Sequence, residues 1–241
     1  MSDARFAAGL RESRRGRWKR MAIGFLAAVA LAALVWLVFF SRVLAVSSVA
    51  IDGESTLKES QIRTAASVRG GQPLARLDTE AIEGRVASLK RVQDVSVARS
   101  WPHTVTITVL ERKAVAWMSI GGTIRGLDRY GVDFRTYPSP PKRLIEVKVV
   151  VVGSRERQQT LGAVASVVRL IETKDPALRR RVQLVSASSK DSIELDLTSG
   201  RTVMWGSRAE PTRKLSVLRP LLRIKASRYD VSAPDQPTTK K

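Results

Sequence analysis

The apolar positions of this 241-residue chain fall into three regimes: one unbroken run, segments with a period near 3.6, and segments with a period of two. From Met21 to Phe40, twenty consecutive residues carry no charge. A helix of that length rises about 30 Å, the thickness of a bilayer's hydrocarbon core, so the run predicts a membrane-spanning helix over residues 21–40. Beyond it the pattern changes. Val49 and Ile51 alternate with small or polar neighbours up to Asp52-Gly53 and predict a short strand. Thr56 and Glu59 have capping-box spacing, ahead of a helical face made by Leu57, Ile62, Ala65 and Ala66 that Gly70-Gly71 ends. A second helix begins at Asp78 or Thr79 and aligns Ile82, Val86 and Leu89. Val95 and Val97 mark one strand, and Val105, Ile107 and Val109, interleaved with threonines, mark another across a short Ser100–His103 connection. Residues 46–112 therefore read strand, helix, helix, strand, strand, with two helices on one face of a three-stranded sheet.

Residues 113–233 read as a second, strand-rich module. Ala114–Ile120 is a strand turning at Gly121-Gly122, and the β-branched run Val147–Val152 suits a buried strand. Ser154 is placed to cap a helix with Leu161, Val164, Val168 and Ile171 inside. Strands follow at Val182–Ser186, Ile193–Leu197 and Thr202–Trp205. A helix from Pro211 carries Leu215, Leu218, Leu221 and Leu222 on its core face until Pro220 kinks or ends it. Last comes Ser227–Ala233, a strand followed by Pro234 and Pro237. A strand added last and closed by prolines predicts a sheet edge with unpaired backbone groups, ahead of a flexible tail at 234–241. A proline at Val231 is expected to remove a ladder donor there.

Charge then divides the chain. Its 42 Lys and Arg against 22 Asp and Glu give a formal net charge of +20, which by itself suggests nucleic acid. Seven of the basic residues, against two acidic ones, lie in residues 1–20, and only Arg42 follows the apolar run before Asp52. By the positive-inside rule residues 1–20 form a cytoplasmic basic tail and residues 41–241 lie outside, away from nucleic acid. Val43-Leu44-Ala45 has residue types that signal peptidase accepts. The apolar run exceeds a usual signal-peptide core, however, and Arg42 sits inside the would-be cleavage site, so an uncleaved anchor is expected.

With no cysteine, disulfides and thiolate chemistry are excluded, and His103 as the single histidine weakens any case for a His-based triad or a multi-His metal centre. Neither catalytic nor cofactor-binding nor metal-binding residues are expected. His103 reads as an exposed loop residue, Trp101 as a packing residue, and Asp128 and Asp133 as turn-forming aspartates rather than a catalytic carboxylate pair.

Val49–Gly53, Gly71-Gln72-Pro73-Leu74, Leu77-Asp78, Trp101-Pro102 and Glu111-Arg112-Lys113, in this order after the apolar run, resemble the POTRA domain of the FtsQ/DivIB family of bacterial cell-division proteins. Leu127-Asp128-Arg129-Tyr130-Gly131 resembles the stretch that follows it, and the composition is similar to actinobacterial members. The resemblance implies an α+β fold: a transmembrane helix, a β-α-α-β-β POTRA domain and a mixed β-rich C-terminal domain. It also implies a non-enzymatic, single-pass type II scaffold of the divisome. Such a scaffold would sit at the division septum, bind FtsB and FtsL, and through them act on the septal peptidoglycan synthase. Carried over from the family, the FtsB docking strand falls on Arg228, Tyr229, Asp230, Val231, Ser232 and Ala233. The alternative is a basic envelope protein that binds anionic polymers or lipids through Arg179–Arg181 and the cations between Arg213 and Lys225.

Overall fold

A computed structural model describes the backbone of residues 4–40 and 42–241, and side chains at 18–40 and from residue 43 onward. The chain divides between Glu111 and Arg112 into two compact units.

The first unit opens with α1, Ala4–Phe40. Its Trp18–Phe40 stretch is long and apolar enough to cross a membrane, and none of it is buried against the fold. Apolar side chains with no protein to cover them are what a lipid-facing helix requires. After a 3-10 turn at Arg42–Leu44, Ala45 and Val46 are buried and clipped to the Gln72-Pro73 segment. The Val46 N–H donates to Gln72 O at 2.9 Å, and the Gly71 N–H donates to Val46 O at 2.9 Å.

β1 (Ser48–Asp52), α2 (Glu59–Ala66), α3 (Thr79–Ala87), β2 (Val92–Ser100) and β3 (Thr104–Glu111) follow in the expected order. β3 is central, parallel to β1 and antiparallel to β2. The apolar faces read from the periodicity meet in one core, where Ile62, Ala66, Ile82 and Val86 cover Val105, Ile107 and Val109. Gly53 ends β1 with φ of +86°, and a Cβ there would lie 2.3 Å from Val109 O, so the strand's closing glycine is a steric requirement.

Two expectations need correction in this unit. Thr56 does not open a capping box. Lys58 is the N-cap of α2 and its N–H donates to the Gln61 side chain, while Thr56 turns toward the end of β3. There the Glu111 carboxylate accepts the N–H groups of Ser55, Thr56 and Leu57 at 2.6, 2.8 and 2.9 Å, together with the Thr56 hydroxyl. A carboxylate offering several acceptor sites to a cluster of free amides outcompetes a neighbouring side chain three positions away. Trp101 is half exposed at the β2–β3 connection rather than packed; His103 is exposed as expected.

The second unit is one nine-stranded sheet with α4 (Ser154–Lys174), α5 (Pro176–Arg181) and α6 (Pro211–Leu221) contributing to a single core. Its strands are β4 (Ala114–Ile120), β5 (Thr123–Asp128), β6 (Asp133–Tyr137), β7 (Ile145–Val149), β8 (Val182–Ala187), β9 (Ile193–Leu197), β10 (Thr202–Gly206), β11 (Arg228–Asp230) and β12 (Thr238–Lys240). Their order across the sheet is β12-β11-β10-β9-β8-β7-β4-β5-β6.

Asp128 is the expected turn-former: its carboxylate accepts from the Tyr130 and Val132 N–H groups, each at 2.8 Å, and pairs with Arg112. Gly131 completes that turn at φ of +78°, against the backbone of Leu161 on α4. Asp133 instead pairs with Arg125 at 2.9 Å. The run Val147–Val152 is only partly a strand. The chain leaves the sheet after Val149 to reach Gly153, the N-cap of α4, and Val150 and Val152 stand exposed.

Candidate partner-binding site

The six residues carried over as a docking strand lie at one margin of the large sheet. β11 begins after α6, whose Leu215 and Leu218 are buried with Trp205 of β10 and fix where the returning chain can lie. Thr202–Met204 pair with Arg228–Asp230 in parallel. Alternation then splits the six residues between two faces. Tyr229 and Val231 point inward, both with 0% exposure. The Tyr229 hydroxyl donates to Ile224 O at 2.7 Å and accepts from Arg201 Nη1 at 3.0 Å, so it holds the α6–β11 connection. Arg228 points outward and donates to Glu194 of β9 at 2.7 Å.

Asp230 folds back on its own chain, accepting from the Ser232 N–H at 2.9 Å and the Ser232 hydroxyl at 2.7 Å. This Asx-type turn consumes the donor that would extend a ladder past Val231. The Val231 N–H donates to Met204 O at 3.0 Å, toward the sheet interior. A proline at Val231 would therefore break the β10–β11 ladder inside the fold instead of an exposed edge.

The edge itself is elsewhere. Prolines close β11 but do not stop the chain from turning: the Gln236 N–H donates to Ala233 O at 3.0 Å, Pro234 is buried, and Asp235 pairs with Arg213 of α6. β12 then runs antiparallel along β11, pairing Arg228 with Lys240, Tyr229 with Thr239 and Asp230 with Thr238. Lys240 O accepts from the Ser227 N–H at 2.8 Å and from its hydroxyl at 3.0 Å. Thus β11 lies between β10 and β12, and all six expected docking residues are already engaged within the fold. β12 is the element that the residue pattern does not reveal. Thr-Thr-Lys has no apolar alternation, and all three of its residues are exposed.

Lys214 of α6 lies beneath this margin, buried, with Nζ donating to Ser207 O at 2.9 Å. Burial pushes its ammonium below the ordinary lysine range, opposed by the charges of Glu210, Asp191 and Asp230. It ties the β10–α6 loop to α6 and offers no charge to a ligand. Among the described residues no group of three or more His, Cys, Asp or Glu could hold a metal ion.

Of the eight cations proposed as a polyanion surface, Arg179, Arg213, Lys214 and Arg219 have partners within their own unit. Arg179 donates to Arg143 O, Arg213 pairs with Glu210 and Asp235, and Arg219 binds both Asp175 and Lys174 O. Arg63, Arg85, Arg91 and Arg99 donate in the same way to the carbonyls of Val49, Ala66, Thr56 and Leu77 in the first unit. These four arginines, with Arg179 and Arg219, thus satisfy backbone carbonyls.

Residues 44–112 match the family model for the POTRA domain, FtsQ-type. The cell division protein FtsQ of Streptomyces bingchenggensis is 35% identical over 216 residues, covering 85% of this chain and 79% of the relative. This chain belongs to the FtsQ family. FtsQ of Mycobacteroides abscessus is 34% identical over 231 residues, with coverage of 93% and 72%, and that of Streptomyces coelicolor 32% over 239 residues, with 94% and 90%. The FtsQ match begins at Leu44, inside the turn after the apolar helix, and ends one residue past β3. The relatives cover 85% and 94% of this chain, well beyond the POTRA domain. The chain is therefore a cell-division protein with an N-terminal apolar helix, a POTRA domain and a sheet-rich second unit.

Proposed function

We propose that this chain is a non-enzymatic, single-pass scaffold of the divisome, with residues 1–20 cytoplasmic and both folded units outside. It is concentrated at the septum, binds FtsB and FtsL, and through them couples to septal peptidoglycan synthesis. FtsB docks as an added strand at the β11–β12 margin of the large sheet. The observation that carries this reading is the sheet margin itself. β11 is seated on the core through Tyr229 and Val231, and only an exposed three-residue strand covers its other side. Strand addition suits recruitment, because main-chain bonds supply affinity while alternate side chains supply specificity.

The test is binding of the purified extracytoplasmic region of FtsB from the same cell to the full chain in nanodiscs. Saturable binding that is little changed between 50 and 300 mM salt, roughly a twofold effect or less, is expected for a strand-added complex. An affinity that falls steeply over the same range would favour the polyanion alternative, and no binding would overturn the assignment.

A further inference from the structure

Trp101 takes no part in the core, and it stands at the end of the POTRA fold from which α1 departs. Three segments meet there. Past the turn at Arg42–Leu44, Val46 is bonded to Gly71 and Gln72, and the Ser47 N–H donates to His103 O at 2.9 Å. β1 and β3 run parallel from this end, so the β2–β3 hairpin tip lies on the helix side of the sheet. Two further contacts tie the tip to the helix. The Arg76 guanidinium lies over the ring of Phe40, the last residue of α1, 5.0 Å from its centroid. The carbonyl of the next residue, Leu77, accepts from Arg99 at 2.7 Å, two positions before Trp101.

The side chains at this end suit a bilayer surface. Trp101 is 52% exposed, beside exposed Pro102 and His103. An indole combines an apolar body with one N–H donor, which is why tryptophan gathers at the headgroup level of membranes. Arg76 runs along an aromatic ring at the end of the apolar helix, and among the described residues none of its N–H groups has an acceptor. Exposed Arg69, beside the Gly70-Gly71 turn, makes no hydrogen bond or ion pair among the described residues either. Residues 42–51, 68–77 and 95–104 contain no Asp or Glu. The nearest carboxylate in sequence, Asp78, is turned inward to cap α3, accepting from the Ala81 N–H at 3.0 Å. An aromatic tip beside two guanidinium groups with unused donors is complementary to an interface rich in phosphates.

We propose that the Ser100–His103 tip, Arg69 and Arg76 form a second membrane contact, in which Trp101 enters the interface and the two arginines meet anionic lipid headgroups. The POTRA fold is then seated on the bilayer instead of hanging from α1. One tryptophan and two arginines hold a free domain only weakly. Tethering by α1 makes the contact intramolecular, and the high effective concentration keeps it populated. The inference rests on α1 crossing the membrane, and not on which partner the chain recruits.

The chain has no cysteine, so one introduced at His103 is unique. Full chain carrying His103→Cys or, at the far end of β1, Asp52→Cys is labelled with nitrobenzoxadiazole. It is placed in nanodiscs of phosphatidylcholine containing about 30% phosphatidylglycerol and a lipid with a nitroxide near its headgroup. Quenching at position 103 should exceed that at position 52 at least about threefold, and Trp101→Ser should remove about half of the excess or more. The R69Q/R76Q pair should lower the excess about twofold in these discs and leave it unchanged in discs of phosphatidylcholine alone. Equal quenching at the two positions overturns the contact. So does an excess that neither set of substitutions changes, because the tether alone then accounts for it. A chain that does not enter nanodiscs overturns the spanning helix on which the contact rests. FtsB is absent from every arm, so failure here leaves its docking untouched. Should Trp101→Ser misfold, the comparison of the two labelled positions and the arginine pair decide alone.

Discussion

Glu111→Gln isolates a contact that joins the far end of β3 to the entrance of α2. Burial of the Glu111 side chain disfavours its charge. The amides of Leu57, Ser55 and Thr56 and the Thr56 hydroxyl outweigh that cost and hold the carboxyl down at about 2. Against the 4.5 of an ordinary glutamate, that difference is worth about 3 kcal/mol of stability at neutral pH. Because the folded value is lowered, the contribution is complete above about pH 4.5, declines as the pH falls, and is gone near pH 2. Glutamine keeps the shape and one acceptor oxygen but no charge, so the variant should lose about 2–3 kcal/mol at pH 7. Urea titrations of the full chain in micelles, equilibrated at pH 7 and pH 3 and read by pulsed hydrogen exchange on peptides from residues 46–111, measure it. The gap between wild type and variant should be wide at pH 7 and clearly narrower at pH 3. An equal gap at both pH values, or none at pH 7, refutes the assignment of the stability to the ionised carboxylate.

Two further substitutions probe the second unit. Gly131→Ala puts a Cβ 2.4 Å from the Leu161 backbone at a φ of +78° and should destabilise that unit by more than about 2 kcal/mol, seen as a fall in its thermal midpoint. Tyr229→Phe removes a buried hydroxyl bonded to Ile224 O and Arg201. It should cost about 1–2 kcal/mol in urea unfolding while leaving FtsB affinity within about twofold, because the ring never faces a partner.

Sequence patterning exposed most of the first unit because its elements are amphipathic in isolation. Ile82 and Val86 fall on one helical face, and Val105, Ile107 and Val109 on one strand face, so periods of 3.6 and two separate cleanly. It missed what depends on distant partners. Glu111 reaches residues more than fifty positions earlier, beyond any local capping rule. In the second unit Val149–Val152 are four valines in succession and so carry no mark of where the chain leaves the sheet. The strand at Arg228–Asp230 was legible, but that β12 lies outside it as the outermost strand was not. Tyr229 and Val231 signal a strand, but β12 is recognisable only through its backbone pairing, since Thr238, Thr239 and Lys240 bury nothing. The family motifs have plain physical roles. Gly53 and Gly131 avoid backbone collisions, Asp128 closes a turn, and Glu111 fastens one loop.

The central claim, that this chain recruits FtsB to the division site, is tested most directly in cells. A fluorescent FtsB fusion is imaged while the chain is depleted and then restored. FtsB should leave midcell on depletion and return when the wild-type chain is resupplied. FtsB that persists at midcell without this chain would contradict the account.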